Sequence, residues 1–374
     1  MFDSIKVTDA HIHYAPQTGG RALLEFMERT GTDSAVIQAV SHTKCLSLIP
    51  GALMMKDESG GKYYVFGSPD LSGYYLEGER LGAHFKEYTQ RMIEAGMDGV
   101  KLLEGKLQMR KSVPIPDFDA PCWEKYWEYL EQEQVPITWH VNDPESHWGK
   151  NVSEWVKKQG WWYDESFINN EVQYAQVLTV LERHKYLRVI LAHFFFMSAQ
   201  LERLDDIMER YPNVMVDITP GIEMYENFSH SPENAAAFFD KYQDRIIYGT
   251  DIGGRCILTN EGAPFNEREN LRRPLIVREF LTAKDDMLIE SDGDYLIERE
   301  PFIMRPLGLQ GEKLEKIING NIRRQIGHEP NRIERAAAQD MCAYVQKRAE
   351  LMAERVKNFS PDMREAAEAE RYFA

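Results

Sequence analysis

Two apolar patterns alternate along the chain. One is a short, nearly continuous run rich in β-branched residues. The other is a longer amphipathic segment with apolar residues every three or four positions. The runs are "IKVTDAHIH" from Ile5, "SAVIQAV" from Ser34, "KYYVFGS" from Lys62, "DGVKLL" from Asp98, "PITWHV" from Pro136, "LRVILAH" from Leu187, "NVMVDI" from Asn213 and "RIIYGT" from Arg245. Amphipathic segments lie between them at 78–95, 121–133, 170–185, 198–211 and 232–242. A run without a polar face predicts a strand buried on both sides, as in parallel sheets whose crossovers are helices. These runs, alternating with helices, predict an α/β fold, the TIM (β/α)8 barrel. A doubly wound open sheet calls for a glycine-rich phosphate turn after an early strand, and the chain contains no GxGxxG.

Two connections break the rhythm. One runs from Asn142 to about Ile168 and carries Trp148, Trp155, Trp161 and Trp162; the other runs from Ile252 to about Pro306. They read as insertions after strands 5 and 8, where barrel loops surround the active site and where long loops tend to be lids. From Arg332 the chain is rich in Ala, Glu and Arg. Ile333, Ala337, Met341, Val345, Ala349, Met352 and Val356 form one stripe at helical spacing, which predicts an extra C-terminal helix. The expected division is a barrel over 1–330 and a helical extension over 331–374, packed on the barrel or on a partner. A homo-oligomer is expected.

Composition narrows the function classes. The chain has 374 residues, 43% hydrophobic and 11% aromatic, which fits a globular protein with a large core. Its net charge of −16 argues against a nucleic-acid partner, although a local cationic site could still receive an anionic substrate. Cys45, Cys122, Cys256 and Cys342 are far apart, form no CxxC and read as reduced thiols. The N-terminus shows no basic or apolar leader region, and "VILAHFFFM" is too short to span a bilayer. A cytoplasmic protein with no membrane partner is expected.

A barrel places chemistry at the C-terminal ends of its strands. His11 and His13 end the first run, His140 the fifth and His193 the sixth; Asp251 follows the eighth and Lys101 lies near the end of the fourth. On a strand, i and i+2 share a face about 6.6 Å apart, so two imidazoles can close on one ion or simply face solvent. Each residue alone is readily a hydrogen-bonded buried polar group. Their coincidence at one rim points to a metal site. Imidazole nitrogen with carboxylate oxygen suits zinc, and less exclusively manganese, iron or nickel. Such a cation lowers the pKa of bound water from about 15.7 to about 7. An Asp beside that water could orient it and carry its proton, and His193 could polarise a substrate oxygen. Asp9 could orient a ligand histidine or bond to backbone. Lys101 could pair with a rim carboxylate or with substrate. Arg255 could grip a substrate carboxylate or lie on the surface.

The motifs "HIH", "GVKL", "WHVND", "LAHF", "YPNVMVDI" and "YGTD", with "KIINGNIRRQIG" after them, resemble the amidohydrolase superfamily. The closer resemblance is to the branch of aminocarboxymuconate-semialdehyde decarboxylase, resorcylate decarboxylases and pyrone-dicarboxylate lactonase. The resemblance implies one divalent metal, zinc first, held by His11, His13, His140 and Asp251. His193 would stand near the metal-bound water, and Lys101 would bridge two metals only if carbamylated. The segment "GGRCILTNEGAPFNERENLRRP" after Asp251 departs from the family pattern. Two chemistries share these residues: hydrolysis of a C–N or C–O bond in a small anionic molecule, and non-oxidative decarboxylation. A non-catalytic metal-binding barrel is the third reading.

Overall fold

Every one of the apolar runs forms a parallel strand. The computed structural model describes residues 5–16, 20–42, 45–158, 160–221, 223–253, 267–290 and 301–374. The strands are β1 (Thr8–His13), β2 (Ser34–Ala39), β3 (Tyr63–Gly67), β4 (Gly99–Gly105), β5 (Ile137–Val141), β6 (Val189–Leu191), β7 (Val214–Asp217) and, in the last run, β8 (Ile246–Ile247), with a ninth short strand, β9 (Ile252–Gly253), just beyond it. They pair in the order β8-β7-β6-β5-β4-β3-β2-β1-β9. The last two strands close the barrel. β8 pairs with β7 and β9 with β1, and between them the Ala10 N–H donates to the Tyr248 carbonyl at 3.0 Å.

Period-two alternation divides the strand residues into two sets. Ala35, Ile37 and Ala39 join the large core shared with the helices, whereas Val36, Tyr64, Phe66, Ile190, Met215 and Ile247 cluster separately inside the barrel. The β1–β2 register shifts between Asp9 and Ile12, and the β4–β5 register between Leu102 and Gly105. Such bulges re-aim side chains at barrel rims, and here they fall beside His11 and just beyond Lys101.

The helices that flank the strands are α1 (Gly20–Thr30), α2 (Ile49–Glu58), α3 (Leu81–Glu94), α4 (Glu124–Gln132), α5 (Asn170–Arg183), α6 (Leu201–Arg210) and α7 (Pro232–Lys241). The described parts of both long connections carry secondary structure. After β5, a short helix at Glu154–Lys158 and the buried Val152, Val156 and Tyr163 fold back toward the rim, where the Tyr163 hydroxyl donates to Asp143 at 2.7 Å. After β9 comes α8 (Glu267–Thr282), and then a hairpin pairs Met287–Ile289 with Phe302–Met304. The C-terminal stripe lies on α9 (Arg335–Arg355), where Met341, Cys342, Val345, Ala349 and Met352 are buried. The chain then turns at Asn358, in the left-handed region at φ 66°, and a second helix, α10 (Arg364–Phe373), follows where one helix was expected. α9 packs on α2 and α3, and α10 on α2. Arg348 reaches Asp70 and Glu77, each at 2.8 Å, and the Tyr14 hydroxyl donates to Glu365 at 2.6 Å. Among the described residues, no helix is long and apolar enough to cross a membrane.

Candidate metal centre

Three groups from the two ends of the barrel seam converge. The ligand atoms of His11, His13 and Asp251 all lie within 4.8 Å of one another. Asp251 Oδ1 stands 3.1 Å from His13 Nε2 and 3.9 Å from His11 Nε2. Close strand approach makes this geometry possible. A Cβ at Gly253, which sits at φ 112°, would collide with the His13 carbonyl, so glycine is required where β9 meets β1.

The residues around His11 decide which nitrogen it offers. Asp217, at the end of β7, lies 2.9 Å from His11 Nδ1, and a carboxylate can only accept, so Nδ1 donates and Nε2 keeps its lone pair. Burial, reinforced by Lys101, holds the imidazole well below its ordinary pKa and therefore neutral. Its Nε2 faces the Lys101 ammonium at 2.9 Å. A positive charge thus already stands among the inward-facing lone pairs of this donor set. Burial lowers Lys101 to about 8, against the attraction of Asp217 and Asp251.

His193 opens a turn of unusual shape. His193, Phe194, Phe195 and Phe196 all have φ between 52° and 57°. Asp217 accepts the His193 N–H at 2.8 Å, and the Tyr174 hydroxyl donates to the Phe195 carbonyl at 3.0 Å. His193 Nδ1 lies 3.3 Å from the Thr219 carbonyl, which leaves Nε2 as the acceptor. The His193 ring stands 5.2 Å from that of His11 and 4.9 Å from that of His140. His140 is not among the three converging groups, and its ring neighbours them through that of His193. Burial lowers it to about 4 against the pull of Asp143, whose Oδ1 lies 3.7 Å from Nε2. Asp143 in turn pairs with Lys106 at 2.8 Å.

Burial pushes the Asp251 carboxyl up, but Arg273, with His13 and His193, more than offsets this and holds it well below the usual range. Asp9 follows its backbone reading: it accepts from the His11 N–H at 3.1 Å and from the N–H and hydroxyl of Thr250, and its carboxylate meets no ring nitrogen. Burial raises it to about 7. Arg255 and Cys256 lie outside the described residues. Asp217, Arg273, Lys106 and Asp143 carry no role in the sequence reading. Asp217 satisfies the strand-end rule that picks out His193, in "NVMVDI", and Asp143 closes the motif "WHVND"; nothing local marks Arg273 or Lys106.

Trp161, His147, Phe196, Leu103, Pro144 and Pro220 wall the pocket above these groups. Trp161 and His147 stack at 15°, and the Lys106 ammonium lies 5.5 Å from the Trp161 ring centre. Three of these walls, Pro144, His147 and Trp161, come from the connection after β5.

The Amidohydrolase family model matches residues 80–324, more than half of the chain. No protein of curated function matches the sequence. Among solved structures, an uncharacterized TIM-barrel protein of Bordetella bronchiseptica superposes with a TM-score of 0.51 at 12% identity, over 87% of this chain and 100% of its own. An IDCase of Metarhizium anisopliae, in its apo form, gives 0.52 at 15% identity, over 87% and 98%. A 5-carboxyvanillate decarboxylase of Novosphingobium aromaticivorans, complexed with manganese and a nitrobenzoic acid, gives 0.50 at 11% identity, over 87% and 97%. At these identities the likeness is one of fold.

Proposed function

The chain belongs to the amidohydrolase family, and from that premise we propose that it is a metal-dependent hydrolase acting on a C–N or C–O bond of a small anionic molecule. The observation that carries this reading is the convergence of His11, His13 and Asp251 at one rim, with Asp217 fixing the His11 lone pair inward. These three would hold one divalent cation, with His140 as a fourth ligand. Zinc suits the donors best, and manganese, iron or nickel suit them less exclusively. When bound, the cation supplies a water acidic enough to attack near neutral pH. Asp251, held as an anion, would orient an attacking water and accept its proton; His193, held neutral by burial and by the neighbouring His140, would present Nε2 to the reacting group. With a cation held at His11 Nε2, the Lys101 ammonium that faces this nitrogen at 2.9 Å would instead meet the substrate's negative charge.

The aromatic wall of Trp161, His147 and Phe196 favours a second reading on the same ligands. A planar aryl carboxylate fits such a wall by stacking, and its reaction would be non-oxidative decarboxylation. Product analysis on a panel of amides, lactones and aryl carboxylates separates the two. Incorporation of oxygen from labelled water supports hydrolysis; release of carbon dioxide without that label overturns it in favour of the lyase.

A further inference from the structure

We infer that Arg273 is a positioning residue for Asp251: it claims one carboxylate oxygen and the backbone carbonyl, and so assigns the other oxygen to the metal. The inference rests on reading His11, His13 and Asp251 as a metal centre. Arg273 lies on α8 and its side chain is fully buried. One guanidinium nitrogen, Nη1, donates both to Asp251 Oδ2 at 2.8 Å and to the Asp251 carbonyl at 3.0 Å. Asp251 itself is in the left-handed region at φ 55°, which a non-glycine residue keeps only when its surroundings hold it there. On its amide side, the Asp251 N–H donates to the His11 carbonyl at 2.8 Å. The residue is thus gripped from β1 on one side and from α8 on the other. What remains unclaimed by the guanidinium is Oδ1, the oxygen that faces His13 and His11.

Two physical consequences follow. The carboxylate is held in a one-oxygen geometry toward the pocket, because turning Oδ2 inward would break its buried hydrogen bond with the guanidinium. The guanidinium also draws charge from the carboxylate, which tempers Asp251 as a donor. α8 is docked for this purpose at a second point, since Asn270 accepts the Gly253 N–H at 2.7 Å. The long connection after β9 therefore has a task at the site that its sequence does not announce.

The test compares Arg273→Met and Arg273→Lys with wild type, each stripped of metal, using zinc competition and the visible spectrum of added cobalt. Wild type should take up one equivalent. Arg273→Met should bind zinc about 10–100-fold more weakly, the usual size of an outer-shell effect, with a changed cobalt spectrum. Arg273→Lys should fall between, because its ammonium restores the charge and a donor. In an Asp251→Asn background the Met substitution should add little further loss, since the pair acts as a unit. Zinc affinity and cobalt spectrum of Arg273→Met equal to wild type would overturn the inference while leaving the metal centre intact. Should Arg273→Met lack a cooperative melt, Arg273→Lys decides: additive effects with Asp251→Asn overturn the inference, and coupled effects support it. A wild-type protein that takes up no metal removes the underlying reading and this inference with it.

Discussion

Asp217 works at two places with one carboxylate, fixing the proton of His11 through Oδ2 and the backbone of His193 through Oδ1. Replacing it with Asn keeps the shape but lets the amide donate, so His11 can take the other tautomer and withdraw its inward lone pair. Asp217→Asn should lower zinc affinity about 10–100-fold in a competition titration while the protein stays folded. His11→Ala should lose the metal, whereas His193→Ala should keep it and lose activity, because His193 offers Nε2 to the neighbouring space rather than to the converging set. Equal metal loss in both variants would refute that division of roles. Asp251→Asn should stay folded and lose about 10²–10⁴-fold in kcat at matched metal loading, since the amide cannot accept a proton. A mutant within about tenfold of wild type would take Asp251 out of the proton transfer. At this scale the histidines and Asp251 were legible because each ends an apolar run, and strand ends make the rim. Asp217 was equally legible by that rule. Arg273 was not, since an arginine in "NLRRP" reads the same on a surface helix as in a core, and only tertiary packing buries it.

The element that presents His193 is a strained one. Left-handed backbone costs roughly 1–2 kcal/mol per residue, and four consecutive residues adopt it here. "AHFFFM" reads as the end of a strand followed by more core, and nothing in its composition signals a left-handed turn; the hydrogen bonds that stabilise it come from β7 and α5. Tyr174→Phe removes the donor to the Phe195 carbonyl and leaves that carbonyl buried. It should cost about 1–3 kcal/mol in urea unfolding and reduce activity by loosening His193. Unchanged stability would show that the turn is held by packing alone. β4 carries a different kind of stress in Glu104. Both its oxygens and the Tyr74 hydroxyl beside it are buried without a hydrogen bond of good geometry, and burial pushes the carboxyl up from 4.5 to about 7. Between those values the native state holds a proton that the unfolded state has released, so stability falls as pH rises through the window and stays low above it. Glu104→Gln should abolish that loss, worth roughly 3 kcal/mol at most above pH 7, as read by comparing thermal melts of the two proteins at pH 5 and pH 8. Parallel slopes in the two proteins would mean the carboxyl is solvated after all.

At the scale of the whole molecule, the barrel was legible and the pairing that shuts it was not. Strands buried on both faces show as continuous apolar runs, which is why the parallel barrel could be read run by run. The last run forms only β8, and β9 follows it at the rim; the pairing of these two pieces with different neighbours shuts the ring. The ring closes before α9 begins, so the extension adds to a structure that is already complete in its hydrogen bonding. What it adds is cover. α9 and α10 bury apolar faces of α2 and α3, and Arg348 neutralises Asp70, which would otherwise keep His84 as its buried partner at 2.7 Å. A chain ending at Ile333 should therefore still fold, with a cooperative melt at lower temperature and a tendency to associate through the uncovered helices. Each buried aliphatic side chain uncovered costs about 1.5–3 kcal/mol, and the stripe on α9 alone includes Met341, Val345 and Met352. Loss of the buried ion pair adds to this, because breaking one partner leaves a charge uncompensated. Size-exclusion chromatography with thermal melting checks the expectation. A truncated chain with no cooperative transition would mean that the barrel does not stand without its extension, and that 1–330 is not a domain in its own right.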